Sequence, residues 1–296
     1  MSDTPPFSII THPVASLSRR VAKRALKAVG HGRSSPKYGG HPAVTRSLVE
    51  GLTALGATFN YNPATLDELH DIVVVPGSIE ALRQAIHLKR QGRIRRLLAG
   101  PNLVVLPTDF GGIVTSPEID TYILNSPWTQ NMYELVAPAL KGRVRLFPSG
   151  VDAAWWWDGP RAHRADHMLF YNKRPPRRLY DACASVARAA GFTVDVVQYG
   201  SYTVEDYRAR LHTSGVLVHW AEQESQGIST LEAWAADVPT LIWDPGSFLW
   251  QGANYDSCSC PYLSRATGRS FRDASEFESL LREGGADRSR YAPRQW

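Results

Sequence analysis

Twice along this chain, short apolar runs alternate with segments whose apolar residues recur at helical spacing, and no long structureless stretch interrupts either series. The first series places strands at residues 7–11 (FSIIT), 58–61, 71–75, 103–106, 121–124 and 144–147. Between them, Val44, Leu48, Leu52 and Leu55 line one face of a helix stopped at Gly56. Ile79, Leu82 and Ile86 mark a second helix closed by Gln91 and Gly92, and a third is expected near residues 129–140. The second series places strands at 167–171, 193–199, 215–220 and 240–243, with helices at 177–190, 204–212, 228–236 and 274–282. Alternation at this spacing predicts parallel sheets covered by helices on both faces, an α/β class. The turn-rich segment 148–160 separates the two series and reads as a linker, giving domains at 1–150 and 151–296. Its three tryptophans, Trp155, Trp156 and Trp157, are read either as packing under that linker or as a sugar-facing aromatic platform.

Composition bounds what such a chain does. With 296 residues, 43% of them hydrophobic, two separate cores are within reach. No run of 18 apolar residues exists, and the polar, proline-containing start lacks a signal-peptide layout. Three cysteines, an odd number with Cys258 and Cys260 one residue apart, argue against a disulfide framework and point to a reducing, cytoplasmic setting. A Cys-x-Cys pair without a second pair or a His-x-His nearby is a weak metal signal, so no metal is expected. The net charge of +5 is uneven: Arg19, Arg20, Lys23, Arg24, Lys27, Arg33 and Lys37 have no acid among them. Val14, Leu17, Val21, Leu26 and Val29 make the 14–37 segment an amphipathic basic helix, either solvated on its own domain or touching an anionic membrane surface. No nucleic-acid-binding motif accompanies it.

The chemistry concentrates in residues 215–244 (GVLVHWAEQESQGISTLEAWAADVPTLIWD). A strand runs into a polar loop, and Gly227 opens a helix whose Ile228, Leu231, Ala235 and Val238 are expected to face the core. A helix N-terminus carries unpaired N–H groups and about half a positive charge, a natural seat for phosphate. Glu224 precedes that seat and Glu232 lies on the second helical turn, so both carboxylates can flank one ligand and accept from vicinal hydroxyls.

Glu224 and Glu232, with seven residues between them in ESQGISTLEAWAADVPTL, resemble the Glu-x7-Glu signature of retaining GT-B glycosyltransferases, family 4 in particular. Gly39 and Gly40 before a helix look like that family's N-terminal glycine loop, Ser149 to Asp152 like its domain crossover, and Thr267 and Gly268 with Phe271 like its late Thr-Gly element. The resemblance implies two Rossmann-like domains facing a central cleft, the first for acceptor and the second for a nucleotide-sugar donor. It implies transfer of a hexosyl group from a nucleotide diphosphate sugar to an acceptor hydroxyl with retained configuration. The acceptor would be a glycan, a lipid-linked sugar or a small molecule. No cofactor is implied, and the absence of Asp-x-Asp agrees with a metal-independent reaction.

Residue by residue, the resemblance gives Glu224 the donor-sugar hydroxyls and Glu232 the ribose hydroxyls. Lys173 takes the leaving diphosphate, with Arg177 or Arg178 as its partner. Gly227 and Ile228 hold the sugar or diphosphate through their backbone, with Ser225, Gln226 and Ser229 beside them, and Tyr199 and Gly200 lie where the nucleobase docks. Tyr171 and Asn172 replace the family's Gly-Arg, and Pro76, Gly77 and Ser78 stand where it often keeps a histidine. A non-catalytic GT-B-like protein that binds a nucleotide sugar or glycan, and a sugar-nucleotide epimerase, are the alternatives.

Overall fold

Runs such as Ile72–Val75 (IVVV) and Ser214–Trp220 (SGVLVHW) carry no polar alternation, as expected of strands buried on both faces of a parallel sheet. A computed structural model describes residues 5–14, 40–157, 159 and 164–295. Within them the chain divides into two units: residues 1–36 with 48–148, and residues 37–47 with 149–296.

The first unit contains a six-stranded, all-parallel sheet in the order β2-β1-β3-β4-β5-β6. Its strands are β1 (Phe7–Ile9), β2 (Phe59–Tyr61), β3 (Ile72–Val75), β4 (Arg96–Ala99), β5 (Thr121–Leu124) and β6 (Val144–Leu146). Helices α1 (Gly40–Ala54), α2 (Ile79–Arg90) and α3 (Pro127–Val136) fall in its connections. Ser78 caps α2 by accepting the Ala81 N–H at 3.2 Å, and Leu82, Ala85 and Ile86 turn its apolar stripe onto the sheet.

Two expectations fail here. The apolar run 103–106 is no strand; the strand is β4, seven residues earlier. Arg95 and Arg96 hide its apolar character in the sequence, yet Leu97 and Ala99 are fully buried because β3 and β5 pair with it on both sides. The Asp120 carboxylate also accepts the Leu97 N–H at 2.7 Å. Leu103 and Leu106 are buried without joining the ladder, so hydrophobicity alone misplaces the strand. Leu55 is 77% exposed, past the end of α1, and does not share the inward face of that helix.

The second unit holds a five-stranded, all-parallel sheet in the order β13-β10-β9-β7-β8. These strands are β7 (Arg164–Asn172), β8 (Thr193–Gln198), β9 (Ser214–Trp220), β10 (Thr240–Trp243) and β13 (Gly268–Phe271). Numbered within the unit, the order is 2-1-3-4-5, the flavodoxin-like doubly wound arrangement. Its helices are α4 (Ala153–Trp156), α5 (Arg177–Ala189), α6 (Val204–Leu211), α7 (Ile228–Ala235) and α8 (Ala274–Arg282). One core layer gathers Phe170, Trp220, Phe271 and Phe277; the other gathers Tyr171, Tyr207, Leu211 and Leu217.

Between β10 and β13 stands a hairpin that the sequence reading lacked, β11 (Ser247–Trp250) and β12 (Ala253–Asp256). Its two-residue turn puts Gln251 at φ 49° and Gly252 at φ 82°, the double left-handed geometry of a type I′ turn. Gln-Gly replaces the usual Asn-Gly there, which is why the turn did not announce itself.

Of the three tryptophans, Trp156 is 1% exposed and packs edge-on against Tyr207, with ring centroids 5.9 Å apart. Trp155 lies under the Arg208 guanidinium and Trp157 under that of Arg294. Trp156 is therefore packing. The basic 14–37 segment falls outside the described residues except for buried Val14.

Candidate functional site

In a doubly wound sheet, ligands gather beyond the carboxyl ends of the strands where the strand order reverses. In the second unit that point lies between β7 and β9. β7 delivers Lys173 immediately after its last residue, and β9 delivers the loop containing Glu224. The Lys173 amide donates to the Trp220 carbonyl at 2.9 Å, so the backbone ladder fixes where that side chain begins.

The two side chains meet: Lys173 Nζ donates to Glu224 Oε1 at 2.8 Å, with side-chain exposures of 31% and 14%. Burial disfavours the ammonium, but the Glu224 charge and hydrogen bond outweigh it, and the Lys173 pKa is raised. Nζ also stands 4.9 Å from the centroid of the Tyr199 ring, a cation–π contact. Gly200 follows in a left-handed turn at φ 76°.

The Glu224 loop is held from several sides. The Glu224 N–H donates to Cys258 O at 3.0 Å, Ser259 Oγ to Ala221 O at 2.7 Å, and Ser257 Oγ to Glu222 O at 3.1 Å. The β12 hairpin strand thus leads into the segment that braces the loop. Gln226 is buried with both ends of its amide engaged: Oε1 accepts the Ser149 N–H at 2.8 Å, and Nε2 donates to Ser149 O at 2.6 Å. Its polar atoms are spent on holding the chain. Ser225 is half-buried beside it.

Gly227 caps α7 at φ 78°, ψ 62°, a conformation costly for any residue with a Cβ, and a Cβ there would stand 3.1 Å from Thr230 Oγ1. No side chain caps this helix end, and the first N–H groups of a helix have no partner within the helix itself. The expected inward stripe is too narrow. Ser229, Thr230, Glu232, Ala233, Trp234 and Ala235 are all buried, whereas Ile228 and Leu231 are only half so. Wedging α7 between core layers makes it buried nearly all round.

Glu232 is 0% exposed, and Arg46, from the 37–47 stretch that groups with this unit, brings Nη2 to 4.0 Å from its Oε1. Arg177 and Arg178 are exposed on the first turn of α5. Arg177 sits 3.7 Å from Asp181 and, with Asn172, Arg174 and Tyr180, lines a groove of about 400 Å³. Gly40 opens α1, and Gly39 lies outside the described residues.

The sequence reading passed over His219. It is fully buried at the end of β9, stacked on Tyr171 at 5.3 Å and 9°, with Nε2 3.8 Å from Glu224 Oε1 and 3.3 Å from Ser229 Oγ. Burial, reinforced by the Lys173 charge and opposed by Glu224, pushes its pKa down to about 4. The available signal was a lone imidazole in an otherwise apolar strand, five residues before Glu224. Burial pushes the Cys260 thiol up to about 12, and among the described residues no cluster of three or more His, Cys, Asp or Glu could hold a metal ion. No helix among them is long and apolar enough to cross a membrane.

No protein-family profile and no curated protein sequence matches this chain. Solved structures do. The chain is similar to WaaB, a lipopolysaccharide outer core galactosyltransferase, at 12% identity and a TM-score of 0.59, covering 98% of this chain and 92% of that one. It is similar to WaaG, a glycosyltransferase involved in lipopolysaccharide biosynthesis, at 13% identity and 0.55, covering 98% and 96%. A sucrose-phosphate synthase from Thermosynechococcus elongatus matches at 14% identity and 0.52, covering 98% and 92%. The chain spans about half the length of TarM, covering 50% of it. At these identities the likeness establishes the fold: two Rossmann-like units with parallel sheets, as in GT-B glycosyltransferases.

Proposed function

We propose that the chain is a retaining, family 4-like GT-B glycosyltransferase that moves a hexosyl group from a nucleotide diphosphate sugar to an acceptor hydroxyl without a metal. The observation that carries this reading is the meeting of Lys173 and Glu224 at 2.8 Å on the switch point of the second sheet, in the loops that flank the uncapped end of α7. The shared fold is compatible with it, and the function is argued from the site.

Charge develops on the departing diphosphate. The groups able to meet it here are the Lys173 ammonium and the N–H groups that open α7 at Gly227 and Ile228. Glu224, released from Lys173, accepts from the donor sugar's hydroxyls and orients its anomeric carbon. Glu232, on the next turn, meets the ribose, and Tyr199 with Gly200 meets the base. Gln226 anchors the loop through Ser149, while Ser225 and Ser229 border the ligand. Arg177 and Arg178 stand by as further cations at the start of α5. The second unit is the donor unit and the first the acceptor unit. The acceptor is a glycan, lipid-linked sugar or small molecule, and the basic 14–37 segment meets an anionic membrane surface.

A thermal-shift panel of UDP, ADP and GDP with their hexose conjugates tests the donor side, since a ligand at 100 times its Kd stabilises by about 2.7 kcal/mol. Release of nucleoside diphosphate, persisting in excess EDTA and lost in Glu224→Ala, is the expected result. Activity abolished by EDTA and restored by manganese would overturn metal independence. Binding without release would leave a binding protein, and interconversion of sugars without acceptor an epimerase.

A further inference from the structure

We propose that His219 is a positioning residue for Glu224, donating a hydrogen bond from Nε2 to its carboxylate once a diphosphate has drawn Lys173 away. The inference rests on the glycosyl-transfer reading above and assigns a role to a residue outside it.

β9 is buried along its whole length, and an imidazole there gives up its hydration for little visible return. Its placement is well determined. The register pairs Tyr171 with His219 across β7 and β9, and the near-parallel stack of the two rings sets the imidazole plane. In that plane Nε2 has two oxygens in view, Glu224 Oε1 at 3.8 Å and Ser229 Oγ at 3.3 Å. Nδ1 is buried with no hydrogen-bond partner among the described residues. A proton on Nδ1 would meet nothing, so the Nε2–H tautomer is the one this pocket favours.

The oxygen that His219 faces is the one that Lys173 holds. While the ammonium occupies it, the imidazole stays beyond hydrogen-bond distance. Lys173 is the movable partner, a 31% exposed charge on a four-carbon stem, whereas the Glu224 backbone is tied to Cys258. A diphosphate competes for the ammonium with more negative charge than one carboxylate. Glu224 Oε1 then exchanges the ammonium for the donor that faces it, Nε2 of His219. His219 can supply that bond as a neutral group. Glu224 and Lys173 are the charged groups facing it, and Tyr171 and Ser229 face it as an un-ionised phenol and a hydroxyl. A neutral donor fixes the carboxylate without cancelling the charge that the sugar hydroxyls require.

The test compares His219→Phe, which keeps a stacked ring without a donor, with His219→Gln, whose amide nitrogen falls where Nε2 stood. His219→Asn, with its amide near the Nδ1 position, replaces Phe if that variant does not fold. Calorimetry with UDP, ADP and GDP reads nucleotide affinity. Single-turnover release from UDP-glucose, ADP-glucose or GDP-mannose reads turnover. The Phe and Asn variants are expected to keep nucleotide affinity within roughly twofold while release falls roughly 10- to 100-fold, the worth of one hydrogen bond to a charged group. Gln is expected to restore most of the rate. Unchanged release in Phe, or equal losses in folded Phe and Gln, would overturn the role of His219 and leave glycosyl transfer standing. A wild-type protein that binds none of the nucleotides would remove the glycosyl-transfer reading, and this proposal with it.

Discussion

The two sheets reverse their strand order in the same way, β1 beside β3 and β7 beside β9, yet the carboxyl ends at those points are furnished differently. Beyond β1 and β3 the described titratable side chains, His12 and Glu80 on the first turn of α2, are exposed to solvent. Thr11 donates its N–H to Asn62 at 2.8 Å, and Ser78 caps α2. Beyond β7 and β9 stand Lys173 and Glu224, with His219 near the end of β9 and Glu232 on the helix that follows, three of the four at least 86% buried. Equivalent topology thus supplies two similar perches, and among the described residues it is the second that carries charge taken out of water. Buried charges cost stability unless paired, so their concentration at one switch point marks where ligand chemistry is expected.

The largest effect that would sharpen this contrast is on turnover. Lys173→Ala should raise the barrier by about 2–4 kcal/mol, in line with losing one preorganised oxyanion donor, and should lower turnover more than nucleotide affinity. Lys173→Arg should retain part of the rate, because charge survives while geometry changes. Equal losses in affinity and turnover would move Lys173 from transition-state to ground-state binding.

A second effect lies in acid. His219 has its folded pKa depressed to about 4 from an ordinary 6.5. The stability it contributes is therefore complete above about pH 6.5 and lost as pH falls through about 4, on the order of 3 kcal/mol in all. Urea unfolding at pH 7, 5.5 and 4.5 should show that loss in the wild type and a flatter profile in His219→Gln. Matching profiles would place the acid sensitivity elsewhere.

Glu232→Gln should come next, weakening nucleotide affinity by about 1.5–3 kcal/mol in calorimetry, the range for hydrogen bonds to a charged group. Nucleotide affinity unchanged in a folded variant would remove the ribose role. The smallest effect belongs to the other sheet. Ser78→Ala should cost about 1 kcal/mol of stability as a lost helix cap and leave nucleotide affinity untouched. A change in that affinity would break the division of labour drawn here.

Several features were legible before any coordinates. Apolar runs at strand spacing and helical stripes between them dictate two parallel α/β units, because a parallel pair needs a crossover and a crossover helix needs an apolar face. The Gly227 turn and the placement of Glu224 and Glu232 on a loop and a second helical turn follow from local geometry, which depends on near neighbours in the chain. What the sequence left open depended on distant neighbours. β4 is a strand because β3 and β5 flank it, against the evidence of Arg96 at its start and Arg95 just before it. Gln226 faces the Ser149 backbone 77 residues away. Lys173 and Glu224 are 51 residues apart in sequence and 2.8 Å apart in space. His219 became visible only when the β7–β9 register laid its ring on Tyr171 and its Nε2 toward Glu224. Local pattern selects which elements form, since propensity and periodicity act over a few residues. Which charges share a low-dielectric pocket is decided by packing, since only the folded chain brings remote segments together and strips the water from between them.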